Sequence, residues 1–114
     1  MKGRKLYLAG PVTGMVDDNR HAFSRWAAYL RHLGWHVVVP VELPEPLPNA
    51  TWHDWMRICL PHVLECDVVA MLDGWEDSRG ARLEYDVARG IGTPVVRVKD
   101  VGPAYAWPPA VMML

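Results

Sequence analysis

The chain has 114 residues, 51% apolar and 22% charged, with a formal net charge of -1, which is the size of one hydrophobic core and leads us to expect one domain over 1–114. Its lysines and arginines are dispersed, so no surface for a nucleic acid polymer is implied, and no apolar run approaches the ~20 residues of a membrane span. Met1-Lys2-Gly3-Arg4 leads straight into a short strand without a secretory apolar stretch, which predicts a cytoplasmic protein.

Lys5-Leu6-Tyr7-Leu8-Ala9 reads as a first strand that opens into Gly10-Pro11-Val12-Thr13-Gly14, a loop with two glycines. With Asp18 or Asn19 as cap, Phe23, Trp26, Ala27, Leu30 and Leu33 recur at helical spacing until Gly34. His36-Val37-Val38-Val39 is a short β-branched strand, and Pro40, Pro44, Pro46 and Pro48 impose an irregular connection after it. Thr51 and Asp54 have the spacing of a capping box. Behind them Trp52, Trp55, Met56, Cys59, Leu60, Val63 and Leu64 keep a helical rhythm, with a bend expected at Pro61. Cys59 and Cys66 lie in this same pattern, roughly 10 Å apart along a helix axis and too far for a disulfide, which fits a reducing compartment. There is no CxxC, HExxH or cluster of His and Cys, so no metal site and no cofactor is predicted.

Asp67 to Leu72 is a third strand, and the stretch that follows, Asp73 to Gly90, reads as a loop and a helix. At about 100° per residue, Gly80, Ala81, Val87, Ala88 and Ile91 fall within about 60° of Glu84, whereas Arg79, Arg82, Asp86 and Arg89 take the opposite side. Glu84 thus sits in the middle of the face that should be buried. An unpaired buried carboxylate costs several kcal/mol or takes up a proton, so such a residue is either paired or used. Its small neighbours, Gly80 among them, leave room for a ligand. Asp77 or Ser78 is the natural cap of this helix, where free N–H groups and the helix dipole suit a phosphate or sugar oxygen. Thr93 to Val98 is a fourth strand, and the tail from Gly102 is rich in proline and apolar residues.

Strands alternating with helices predict an α/β fold, a three-layer Rossmann-like or flavodoxin-like open parallel sheet of four or five strands. Ligands bind such sheets beyond the carboxyl ends of the strands. That rule selects Gly10, Pro11 and Thr13 in the first loop, Asp73 to Ser78 with Trp75 in the third, and the inward face carrying Gly80 and Glu84.

Tyr7-Leu8-Ala9-Gly10-Pro11, Cys66-Asp67 and Ser78-x-Gly80-x-x-x-Glu84, in that order, together resemble the nucleoside 2-deoxyribosyltransferase superfamily, over Tyr7 to about Val98. The wording is closest to its small, often phage-associated branch of unassigned function. The resemblance implies that Glu84 is the nucleophile toward the anomeric carbon of a nucleoside or nucleotide and that Tyr7 helps to hold it. It also implies that Ser78, a serine as in the deoxynucleoside monophosphate hydrolases, contacts phosphate. The first loop departs from those hydrolases, with Gly10-Pro11 for Gly-Ser. On the second helix Cys59 stands where characterised relatives carry the aspartate that assists the leaving base, and Asp54 and Asp73 are the candidate replacements.

Breaking an N-glycosidic bond needs a carboxylate on one side of the sugar and a proton donor on the other. Attack by Glu84 would give a glycosyl-enzyme intermediate released by water or by a second base, and Trp75 could stack on the base. Plainer roles stand beside these: Tyr7 as strand core, Ser78 as an ordinary cap, Trp52 and Trp55 as core or dimer surface. Two classes of function remain, an N-glycosidase or deoxyribosyltransferase, and a non-catalytic nucleotide-binding or sensor module. A homodimer is expected from Trp52, Trp55, Trp107, Met112 and Met113 and from the resemblance, with the helix Thr51 to Leu64 at the interface.

Overall fold

The computed structural model describes residues 4–108, 113 and 114; Met1 to Gly3 and Met112, named above, lie outside the described residues. Four strands, β1 (Lys5–Ala9), β2 (His36–Val38), β3 (Val68–Met71) and β4 (Val95–Arg97), form one sheet in the order β2-β1-β3-β4 with every pair parallel. Three helices cross between them: α1 (Arg20–His32), α2 (Trp52–Glu65) and α3 (Arg79–Gly90). This is the expected three-layer α/β architecture in its flavodoxin-like order.

Both faces of the sheet are covered, and the strands divide their side chains by strict alternation. Leu6 and Leu8 of β1, with Val68, Ala70 and Val96, pack against Phe23, Ala27 and Leu30 of α1. Tyr7 and Ala9, with Val69, Met71 and Val95, pack against Cys59 and Val63 of α2 and Ala81 and Ala88 of α3. A shift of β1 by one residue would exchange these sets, so the register also fixes which way Tyr7 points. Asp67 lies at the amino end of β3, where its carboxylate accepts the Lys5 backbone N–H at 2.7 Å, and so serves the sheet at the edge away from ligands.

The helix ends follow local chemistry. Gly34, at φ +96°, turns the chain out of α1. Thr51 and Asp54 form the capping box of α2, which runs as one helix through Pro61. Ser78 caps α3 by accepting the Ala81 N–H at 3.2 Å. Asn19, one of the two residues expected to cap α1, holds that position but in a left-handed conformation, and its side chain donates to the Pro11 carbonyl at 3.0 Å and not to the helix. Ile91 is 52% exposed because α3 ends at Gly90, so the helical projection that buried it no longer applies.

Gly10 marks where β1 and β3 begin to separate. A Cβ there would lie 2.7 Å from Leu72 Cβ, on a rigid strand end that cannot move aside cheaply. Gly10→Ala is expected to destabilise the protein by about 1–3 kcal/mol through overpacking. Gly90→Ala, whose Cβ would meet no neighbour, is the matched control and should be neutral or slightly stabilising; urea unfolding of both variants measures the contrast.

Candidate active site

Because every connection runs from the carboxyl end of one strand to the amino end of the next, all three helices start at the same edge of the sheet. That edge carries a cleft of about 350 Å³ over the end of β1, where the strand order reverses. Its walls include Arg20 at the start of α1, Trp52 at the start of α2, and Ser78 and Gly80 at the start of α3.

Glu84 opens into this cleft from α3 yet is only 4% exposed. It is the buried charged residue of the described core, and Tyr7, wholly buried beneath it, donates its hydroxyl to Glu84 Oε2. Burial pushes the carboxyl up to about 8, against the opposing pull of the tyrosine hydrogen bond. Tyr7 itself is raised well above the usual phenol range, by burial first and then by the neighbouring carboxylate. Cys59, on the facing side of α2, lines the same space; burial and the charge of Glu84 push its thiol up to about 11. The cleft floor is thus a carboxyl held by a tyrosine and flanked by a thiol that keeps its proton.

Of the other predicted positions, Gly10, Thr13, Ser78 and Gly80 line the cleft with Glu84 and Cys59. Pro11 is buried beside it, with its carbonyl taken by Asn19. Asp54, Asp73 and Trp75 are not brought in. Asp54 is bound into the capping box, accepting the Thr51 N–H at 2.9 Å, and that hydrogen bond foremost holds its carboxyl below the usual range, the wrong direction for a proton donor. Asp73 is exposed, just before the left-handed Gly74 that turns the chain away. Trp75 stacks on Tyr85 with ring centroids 4.7 Å apart, so its face is already covered.

Sequence reasoning missed Asp18, Arg20, Pro40 and Val41, which also line the cleft, and took Trp52 and Trp55 for core or dimer surface. The first turn of α2 overhangs the sheet, so Met56 is buried while Trp52 and Trp55 remain half-buried at the opening. Arg79 lies 3.7 Å over the Trp52 ring and fixes it there. Arg20 Nη1 donates to the Val41 carbonyl at 2.9 Å, which ties the proline-rich connection to α1, and among the described residues its other guanidinium donors have no hydrogen-bond partner. Among the described residues there is no group of three or more His, Cys, Asp or Glu placed to hold a metal ion, and no helix is long and apolar enough to cross a membrane.

Residues 4–97 match the family model described as a domain of unknown function, DUF4406. The chain belongs to this family. Among solved structures, the DUF4406 chain is similar to the 2-deoxyribosyltransferase of the psychrotolerant bacterium Bacillus psychrosaccharolyticus, an enzyme characterised as a biocatalyst for nucleoside synthesis. That match has a TM-score of 0.64 and 27% identity over 81% of this chain and 70% of the other. A conserved protein from Enterococcus faecalis V583 superposes with a TM-score of 0.68 and 25% identity over 84% of this chain, which spans 63% of that protein's length. No curated protein sequence matches the chain. The DUF4406 fold here is therefore the nucleoside 2-deoxyribosyltransferase-like fold.

The raised carboxyl has a consequence for stability. Glu84 binds its proton more tightly folded than unfolded, so its contribution is complete below about 4.5, declines as pH rises toward about 8, and levels off above that. Urea unfolding between pH 5 and pH 9 should show this decline, and Glu84→Gln should flatten it. A decline of the same size in the variant would place its source elsewhere.

Proposed function

We propose that this chain cleaves or transfers the N-glycosidic bond of a nucleoside or nucleoside 5′-monophosphate, with Glu84 as the nucleophile. The observation that carries the reading is a buried carboxylate, held by Tyr7, that opens into a cleft at the carboxyl edge of a 2-deoxyribosyltransferase-like sheet. Glu84 attacks the anomeric carbon as the bond to the base breaks, and water or a second base then releases the sugar from the glycosyl ester. Trp52 and Trp55 offer flat apolar walls suited to a base. The free N–H groups at the start of α3, with Ser78 and Arg20, suit a 5′-phosphate. This chemistry calls for no metal or redox cofactor.

Glu84→Gln should keep the fold and lower the release of free base by on the order of 10³-fold or more, since the amide cannot attack. High-performance chromatography of free base from a nucleoside and nucleotide panel reads this directly, and base exchange in the same samples separates a transferase from a hydrolase. Binding of the panel without any base release would favour a non-catalytic nucleotide-binding module, the reading to which the protonated Cys59 beside Glu84 lends support.

For the wild-type enzyme, activity should rise with pH up to about 8 as Glu84 loses its proton. Tyr7→Phe, which removes the hydrogen bond to the charged form, should move that rise to higher pH; an unmoved profile would separate Tyr7 from the nucleophile.

Arg20→Gln should weaken binding of a monophosphate by about tenfold, in keeping with a hydrogen bond to a charged group, and leave its nucleoside unaffected. Ser78→Asp should act in the same direction by charge repulsion. Equal losses for nucleoside and monophosphate in calorimetry would dissociate both residues from the phosphate.

We also propose a homodimer formed through the outer face of α2, where Leu64 is 56% exposed. Since Trp55 belongs to the cleft, Leu64→Glu is the discriminating variant, and light scattering at micromolar concentration should find dimer for the wild type and monomer for the variant.

A further inference from the structure

Breaking an N-glycosidic bond leaves an electron pair on the base nitrogen, and an ordinary nucleobase departs as an anion unless it is given a proton. Among the described residues that line the cleft, none is suited to give one while Glu84 is ionised. The Tyr7 hydroxyl beneath is committed to Glu84. Burial and the charge of Glu84 push the Cys59 thiol up to about 11, which makes it a weaker acid than the ring N–H of free uracil or guanine, so the proton would move uphill. Arg20 does not release a proton. Asp18 stands in solvent, where carboxyls are ionised at neutral pH, and Asp54 and Asp73 lie outside the cleft.

Other features of the same space favour a positive charge. An ionised Glu84, 4% exposed, is poorly solvated, and a cation beside it is held more strongly than it would be in water. With Asp18 it sets two carboxylates in the cleft lining against one guanidinium, Arg20. Trp52 already carries a flat cation, the Arg79 guanidinium at 3.7 Å over its ring, from outside the cleft lining. Trp55 stands half-buried at the opening, and among the described residues its ring has no aromatic or cationic partner. Its face suits a second flat cation.

We propose that the substrate of this site is a nucleotide whose base carries a positive charge in its ring, a pyridinium or an N-alkylated purine, held between Trp55 and Glu84. Such a base leaves as a neutral molecule and needs no proton from the protein. The proposal rests on the glycosidic reading of the site given above.

A Glu84 carboxylate oxygen bonds to the anomeric carbon as the carbon–nitrogen bond breaks, and the electron pair of that bond neutralises the ring cation. The products are a glycosyl ester on Glu84 and an uncharged base. A water oxygen then bonds to the anomeric carbon, the ester bond returns its electron pair to the Glu84 carboxylate, and the water gives up one proton to solvent. Each turnover consumes one water and releases a sugar phosphate, a neutral base and a proton.

The test gives the full chain, at pH 7, nicotinamide mononucleotide and 7-methylguanosine 5′-monophosphate beside uridine and guanosine 5′-monophosphates, each as its ribose and 2-deoxyribose form. Chromatography of free base should find kcat on the cationic member of each pair higher by about 100-fold or more, the contribution a proton donor would have made to the neutral one. A neutral base released within a few-fold of its cationic partner overturns the proposal and leaves the glycosidic reading standing. Absence of base release from every substrate sinks that reading, and the proposal with it. Calorimetry on Glu84→Gln, which holds substrate without turning it over, then tests the ring. Adding Trp55→Leu should weaken nicotinamide mononucleotide by about tenfold and uridine 5′-monophosphate clearly less, whereas adding Trp55→Phe, which keeps an aromatic face, should restore most of the difference. Equal losses for the two ligands overturn the placement of the cation on Trp55.

Discussion

The structure depends on keeping one carboxyl group out of water. Glu84 faces the sheet from the middle of α3, and the hydroxyl it meets belongs to a strand residue with no exposed surface. Burial alone would drive the group to its neutral form, and the Tyr7 hydrogen bond restrains that drive without reversing it. A carboxyl poised near neutrality can lose its proton when a ligand needs a nucleophile and keep it when the cleft is empty. Such a group would be an expensive ornament in a sheet this small, because the surrounding alanines and glycine could have been filled with apolar side chains at lower cost.

Topology supplies the rest of the site. A parallel sheet with right-handed crossovers brings every helix start to one edge, so the positive ends of three helix dipoles and the Arg20 guanidinium surround a space whose floor is acidic. The edge that opens at the β1–β3 switch point is kept narrow by Gly10, which accepts contact with Leu72 where a larger residue would collide. The loop from Gly10 to Asn19 then passes beside the cleft into α1 through a left-handed turn at Asp17, Asp18 and Asn19.

Much of this was legible in the residues. Apolar strands alternating with helices, together with the helical spacing in α1 and α3, gave the layers, and Glu84 was visible as a carboxylate on an otherwise apolar face. Residues whose position depends on where an element stops were not legible. Trp52 and Trp55 continue the apolar stripe of α2, and nothing in the spacing says that the first turn projects past the sheet. Asp54 looked available because a capping box and a catalytic acid draw on the same residue type, and tertiary geometry decided between them. Trp75 was assigned to a base from its loop, but Tyr85 nearly two turns into α3 reaches it first. Asp18 was read only as an alternative cap to Asn19 and Arg20 was given no role, since three successive left-handed residues leave no signature in a sequence beyond the Asp and Asn that tolerate them.

A covalent glycosyl–Glu84 ester is the central claim, and trapping it is the most direct measurement. Incubation with a 2-fluoro-2-deoxy nucleoside 5′-monophosphate slows both steps but leaves attack possible, and tryptic mass spectrometry then searches the peptide Leu83 to Arg89. The account predicts a mass gain equal to the fluorinated sugar phosphate, located on Glu84 by fragmentation and missing from Glu84→Gln. Base release from unmodified substrate with no adduct on the trapped enzyme, or an adduct on another residue, would contradict it.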